Sequence, residues 1–185
     1  MSKWKDHKSK WCDCTDCELS QVRNNVVLFK GNLPCDVLFI GEAPGASEDV
    51  LGKPFVGPAG ILLDEIVGEA LGVSEVHLPL PIGWTQLVGC VPKINGTVTK
   101  EIPEESIKSC SKRLSEVYEL ANPSLVVCVG KLAMKWFPYA VKDPLTTITD
   151  MVHPAALLTA DKSRQQLAIQ REVVRLSDSL VKVFN

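Results

Sequence analysis

Apolar residues gather in short runs along the chain, separated by stretches rich in glycine, proline and charge, and the runs follow two different periods. Asp36–Ile40 and Ser124–Val129 are nearly continuous apolar runs, the pattern of strands buried on both faces. Trp84–Val91 and Leu145–Thr149 predict two further strands. Between them the period lengthens to that of helices. Ala59–Leu71 has apolar residues at helical spacing and ends at Gly72. Pro103-Glu104-Glu105 opens a second helix, with proline in its first turn and acids at its positive end. The inward stripe of that helix is Ile107, Cys110, Leu114, Val117 and Tyr118, and Asn122-Pro123 stops it. Lys131–Phe137 predicts a short helix and residues 163–184 a long one. Strands alternating with helices predict an α/β sandwich around a mostly parallel, four-stranded sheet.

In such sheets ligands bind beyond the carboxyl ends of the strands, where loops converge. Three loops qualify: Gly41–Pro58, Pro92–Glu101 and Asp150–Leu158. A chain of 185 residues, 45% of them apolar, predicts one domain, here over 14–185. Residues 1–13 read as a basic arm without a clear period. In it Lys3, Lys5, Lys8 and Lys10 are interleaved with Trp4, His7 and Trp11, a composition that suits either a DNA backbone or plain solvation. Twenty basic residues against 22 acidic ones leave no whole-protein footprint for nucleic acid, so any DNA-binding surface is expected to be local. No apolar run approaches the roughly 18 residues of a membrane span, and the polar opening is unlike a signal segment. A cytoplasmic protein that avoids membranes is expected.

The seven cysteines fit a closed disulfide framework poorly, because the number is odd. In a reducing compartment clustered thiols more often bind metal. Cys14 and Cys17 are spaced to chelate one centre, and Cys90 and Cys110 stand alone as possible further ligands, with Cys12 a competitor for Cys14. The spacing leaves zinc and an iron–sulfur cluster equally open. Cys35 and Cys128 adjoin apolar runs and read as core.

The densest chemistry lies in Gly41-Glu42-Ala43-Pro44-Gly45-Ala46-Ser47-Glu48-Asp49, followed by Gly52-Lys53-Pro54-Phe55-Val56-Gly57-Pro58-Ala59-Gly60. Taken alone this is a loop shaped by glycine and proline between a strand and a helix. It resembles the first signature of the family 4 uracil-DNA glycosylases, G-E-A-P-G-x-x-E-D then G-x-P-F-V-G-x-A-G. The likeness continues in order through Cys14-x-x-Cys17 with Leu19 and Arg23, Thr85–Cys90 with Pro92 and Asn95, Cys110, Leu125–Gly130, and His153-Pro154-Ala155-Ala156-Leu157-Leu158. It covers most of residues 14–158.

The resemblance implies a three-layer α/β/α fold and a monomeric, monofunctional enzyme of base excision repair. That enzyme would hydrolyse the glycosidic bond of uracil in DNA. It implies a [4Fe-4S] cluster on Cys14, Cys17, Cys90 and Cys110. Base excision takes the nucleotide out of the stack and into a pocket that holds its face and reads its edge. Phe55 matches the stacking ring, with Gly41, Ala43, Gln86 and His153 as the other base-binding positions. His153 also matches the donor to the departing base. Glu42 and Asn95 are the candidates for holding the attacking water, with Glu48 or Asp49 behind them, because Ala43 is inert where other glycosylases carry an acid. Ala155, Leu157 and Leu158 follow the histidine, where an apolar side chain could fill the gap left by a flipped base or begin the next core. Arg164, with Lys162 and Arg171, could pair with phosphates.

Two positions depart from the family. Gln86 stands where the family has the asparagine that reads the uracil edge, one methylene longer, and Val91 replaces an arginine. Misplaced buried hydrogen bonds are costly, so the longer amide opens three readings. These are a uracil glycosylase that tolerates Gln86, a glycosylase for another damaged or modified base, and a non-catalytic DNA-binding relative acting in replication.

Overall fold

The computed structural model describes residues 3–99, 101–142 and 144–185. Met1 and Ser2 of the expected arm, and Lys100 of the expected Pro92–Glu101 loop, lie outside the described residues. In chain order the elements are α1 (Lys3–Trp11), a single 3-10 turn (Glu18–Gln21), β1 (Lys30–Gly31), β2 (Val37–Gly41), α2 (Ala46–Leu51) and α3 (Pro58–Ser74). They continue with β3 (Ile82–Gln86), the hairpin strands β4 (Lys93–Ile94) and β5 (Thr97–Val98), α4 (Glu104–Ala121), β6 (Leu125–Val129), α5 (Lys131–Ala140), β7 (Thr147–Met151), α6 (Pro154–Leu158) and α7 (Lys162–Phe184).

Helices pack around a mixed sheet that has five strands among the described residues, in the order β1-β3-β2-β6-β7. The four expected strands are its parallel part. The expectation of four strands is corrected by β1, two residues pairing antiparallel with Gly83 and Trp84. So short an edge strand carries no period for a sequence to display. Boundaries also move: β3 stops at Gln86 rather than Val91, and β7 starts at Thr147 because Leu145 is fully exposed.

The buried strands alternate between two cores. Val37, Phe39, Leu125, Val127 and Val129 pack with Leu63 and Ile66 of α3 and with Val173, Leu176 and Leu180 of α7. Leu38, Ile40, Val126 and Cys128 pack with Ile107 and Leu114 of α4 and Phe137 of α5. Leu63 is completely buried, and its truncation to alanine costs about 2–5 kcal/mol. Burial pushes the Cys35 and Cys128 thiols up to about 12, as expected of core positions.

Residues 3–11 form a helix that the sequence pattern does not announce. It is fastened to α4 by one carboxylate: Glu116 accepts from Trp11 Nε1 at 2.6 Å, from His7 Nδ1 at 3.0 Å and from Lys10 Nζ. Only His7 and Trp11 of this helix are buried, too few to set up a stripe.

Because β2, β3, β6 and β7 run parallel, their carboxyl ends (Gly41, Gln86, Val129 and Met151) lie along one edge of the sheet. The segments leaving that edge form the site.

Candidate active site

Beyond the strand ends lies a cavity of about 520 Å³, bordered by Glu42–Glu48, Phe55, Gly57–Ala59, Gln86, Val98, Thr99, Ile102, His153, Ala155 and Ala156. Its volume falls within the usual span for ligand sites. A second concavity of similar size adjoins it at Thr99 and Ile102, but neither Glu42 nor Phe55, Gln86 or His153 borders that one.

Each wall has a local cause. Gly41 ends β2 against the Phe55 ring: a Cβ there would meet Phe55 Cζ at 2.6 Å and Gln86 Cγ at 3.2 Å. Phe55 has a backbone φ of +53°, a conformation bulky residues rarely take. It persists because Gly60 lets the Phe55 backbone lie against α3, and because Lys30 Nζ donates to its carbonyl oxygen at 3.3 Å. Glu48 clasps the loop, its carboxylate accepting from Gly45 N–H at 3.1 Å and from Gly57 N–H at 3.2 Å.

The polar groups divide by how far they are already committed. Both Glu48 oxygens serve the loop. Asp49 is buried and accepts from Lys93 Nζ (2.8 Å), Asn24 N (2.7 Å), Asn24 Nδ2 (2.7 Å) and Asn25 N (3.2 Å). Burial raises the Asp49 pKa, but the hydrogen bonds from Lys93, Asn24 and Asn25 outweigh it and hold the carboxyl below its ordinary value. Glu42 differs: it borders the cavity with one bond, Oε1 accepting from Leu132 N–H at 3.1 Å in the first turn of α5. Gly130, at φ +101°, makes room for it, since a Cβ there would run into the Glu42 carboxylate and come within 3.3 Å of His153 Cβ.

His153 caps α6, its Nδ1 accepting from Ala155 N–H at 3.2 Å. An acceptor Nδ1 carries no proton, so the neutral ring bears its N–H on Nε2. Gln86 is 4% exposed and donates from Nε2 to the Ala43 carbonyl oxygen at 3.0 Å. The reverse assignment would set two oxygens against each other, so the amide direction is fixed. Its Oε1 is buried and meets no donor among the described residues.

Not every expected residue is brought here. Asn95 is exposed in the turn between β4 and β5, at φ +50°, and does not border the cavity, although Val98 and Thr99 of the same hairpin do. Leu157 is 5% exposed and belongs to the core with α3 and α7, whereas Leu158 is 42% exposed. Arg164 lies at the start of α7, its Nε 3.2 Å from Asp161 Oδ2. Lys162 and Arg171 are exposed on the same helix. Sequence reasoning overlooked Gly130, whose signal is a glycine between a strand and a helix, and Arg113, which looks like any surface cation.

The cluster expectation is corrected. Cys14, Cys17, Cys90 and Cys110 line one cavity, but its volume is about 10 Å³, room for roughly one water. Among the described residues no group of three or more His, Cys, Asp or Glu side chains is arranged to hold a metal ion. Burial also pushes the Cys90 thiol up to about 12 and raises that of Cys14, which disfavours the thiolates a cluster needs. The residues as arranged do not fit a [4Fe-4S] cluster. Cys12 is exposed and away from that cavity.

Comparison with known proteins matches the same span. Residues 29–174 fit the pattern of the Uracil DNA glycosylase superfamily. The chain is 38% identical over 118 residues to the type-4 uracil-DNA glycosylase of Saccharolobus solfataricus, covering 64% of this chain and 51% of that protein. It is 37% identical over 135 residues to the Thermotoga maritima protein of the same name, covering 73% and 66%, and 32% identical over 142 residues to that of Sulfurisphaera tokodaii, covering 77% and 61%. The chain thus spans between about half and two thirds of the length of these relatives. No described helix is long and apolar enough to cross a membrane. The matched span holds the strand ends, Phe55, Gln86 and His153, and on that ground the chain belongs to the uracil-DNA glycosylase superfamily, matching its type-4 members.

Proposed function

We propose that this chain is a monofunctional DNA glycosylase that hydrolyses the N-glycosidic bond of uracil in DNA and leaves an abasic site. The observation that carries this reading is one cavity bordered by a flat ring, a side-chain amide, an oriented imidazole and a carboxylate: Phe55, Gln86, His153 and Glu42. Relatives named type-4 uracil-DNA glycosylase are 32–38% identical to this chain over 118 to 142 residues.

In this reading a flipped uracil stacks on Phe55, with the backbone at Gly41 and Ala43 along its edge. Gln86 Oε1 accepts the imino N–H of the base and relieves its own unpaired state. As the C1′–N1 bond breaks, electrons pass to the base, and the Nε2–H of His153 meets the negative charge growing on its carbonyl oxygen. Glu42 has lone pairs beyond the one given to Leu132, and these hold the water whose oxygen bonds to C1′. Its proton leaves through the carboxylate to solvent. Ala155 and exposed Leu158 face the strand, with Arg164 toward a phosphate. The protein acts as a monomer, as one domain over 14–185 with the 1–13 segment appended, in a three-layer α/β/α sandwich.

With one Nε2–H of Gln86 bound to Ala43, Oε1 is left to accept, which also suits other bases with an imino N–H. Single-stranded oligonucleotides containing uracil, hypoxanthine or a modified pyrimidine test this. Alkali-labile breaks at uracil are expected; breaks only at another base, or retardation without breaks, overturn the assignment.

A further inference from the structure

Arg113 is 1% exposed, the largest of the fully buried side chains, and it has no carboxylate partner: no ion pair among the described residues includes it. A buried guanidinium is costly unless its donors are satisfied. Here they are satisfied almost entirely by one stretch of chain. From α4, Nη2 donates to the carbonyl oxygens of Gln86 and, at 3.1 Å, Leu87, and Nη1 donates to Thr85 Oγ1 at 3.3 Å. Nε donates to Cys110 Sγ at 3.1 Å. Thr85 in turn donates its hydroxyl proton to Leu28 O at 2.8 Å.

The arrangement answers a local need. Strand β1 covers β3 only as far as Trp84, so the carbonyls of Gln86 and Leu87 have no strand beside them on that edge. On the other side, the N–H groups of Leu87 and Val88 are already given to Gly41 O and Glu42 O. The two N–H bonds of Nη2, fixed in the guanidinium plane, hold two successive carbonyls, as no apolar side chain can. The residue whose main chain is gripped in this way is the one whose side chain borders the cavity and carries a buried, unpaired oxygen.

We infer that Arg113 is a positioning residue for the base pocket: it fixes the end of β3 and so aims Gln86 Oε1 at the base edge. This rests on the glycosylase reading for its kinetic consequence, though not for its structural one. Arg113 does not touch the cavity and takes no part in bond making.

The test is a double-mutant cycle on the full chain. Single-turnover excision of uracil is measured for wild type, Arg113→Lys, Gln86→Leu and the double variant, with circular dichroism to certify folding. Arg113→Lys slows excision at least tenfold in the native background and less than twofold when Gln86 is already leucine. An equal slowing in both backgrounds overturns the inference, since a purely structural loss ignores the Gln86 side chain. The side-chain amide pair of Gln86 in a ¹⁵N spectrum gives a readout independent of catalysis. The pair is expected to shift and to lose its protection from solvent exchange in Arg113→Lys. An unchanged pair overturns the inference even if wild type proves inactive on uracil, an outcome that by itself counts only against the glycosylase reading. Should Arg113→Lys fail to fold, Thr85→Val, which removes the Nη1 acceptor together with the Thr85–Leu28 bond, is measured in the same two ways and is judged by the same outcomes.

Discussion

Gln86 Nε2 donates to the carbonyl oxygen of Ala43 at 3.0 Å, while the same amide keeps Oε1 buried without a donor among the described residues. An unpaired buried acceptor costs about 1–3 kcal/mol, a cost removed when a ligand supplies an N–H. Gln86→Leu should therefore lower kcat/KM on uracil-containing DNA by roughly ten- to a hundredfold, the equivalent of that energy. Gln86→Asn, by restoring the shorter amide, should sharpen the preference for uracil. If it abolishes activity instead, the glutamine is fitted to another base. Excision rates on a panel of modified oligonucleotides read both outcomes.

His153 is expected to matter more. With Nδ1 committed to Ala155 N–H, the proton on Nε2 is oriented before the reaction begins. Its loss in His153→Ala should cost roughly a hundredfold or more in kcat, the scale for one donor to developing negative charge. Near-normal turnover would refute the assigned role.

Gly41→Ala tests the wall between strand and ring. The added methyl group would press on Phe55 Cζ at 2.6 Å, a separation real side chains do not tolerate, so the ring has to turn out of place. Turnover on uracil DNA should drop at least tenfold. Unaltered kinetics in that variant would mean Phe55 does not hold the base.

Asp49 gives a pH signature of stability. Its folded pKa lies below the unfolded value of about 3.8, so its contribution is complete above that value and disappears as pH falls through the folded pKa. Urea unfolding should show this acid-side loss in wild type and a smaller one in Asp49→Asn. Near pH 7 the variant should be less stable by about 3 kcal/mol, because Lys93 is left without its partner. Equal stability at neutral pH would show the network to be dispensable.

Much of this architecture could be read from the chain. The uninterrupted apolar runs at Val37–Ile40 and Leu125–Val129 are β2 and β6, and the Ile107, Leu114 and Val117 stripe is the buried face of α4. The Gly/Pro-rich segment after β2 does lead to the cavity. What escaped depends on tertiary partners. Helix α1 has no apolar stripe because its anchor is a carboxylate 105 positions away from Trp11. The β4–β5 hairpin and β1 are too short to show a period. Asn95 resembles a site residue in sequence, yet its hairpin turns it outward. The four cysteines do converge, but around a space too small for the group their spacing suggested. No local pattern distinguishes Arg113 from a solvated cation, since its oxygen acceptors come from the end of β3 and the residue after it, 26 to 28 positions earlier.

The unusual backbone of Phe55 has a thermodynamic consequence. Ordering a mobile aromatic side chain at the moment of association costs about 0.5–1.5 kcal/mol, which weakens binding. Here the ring is already immobilised between Gly41 and a main chain held by Gly60 and Lys30. That entropy is lost during folding, so under the proposed function an arriving base would meet a surface already at rest, and its stacking enthalpy would be free to offset the unpairing of the nucleotide instead.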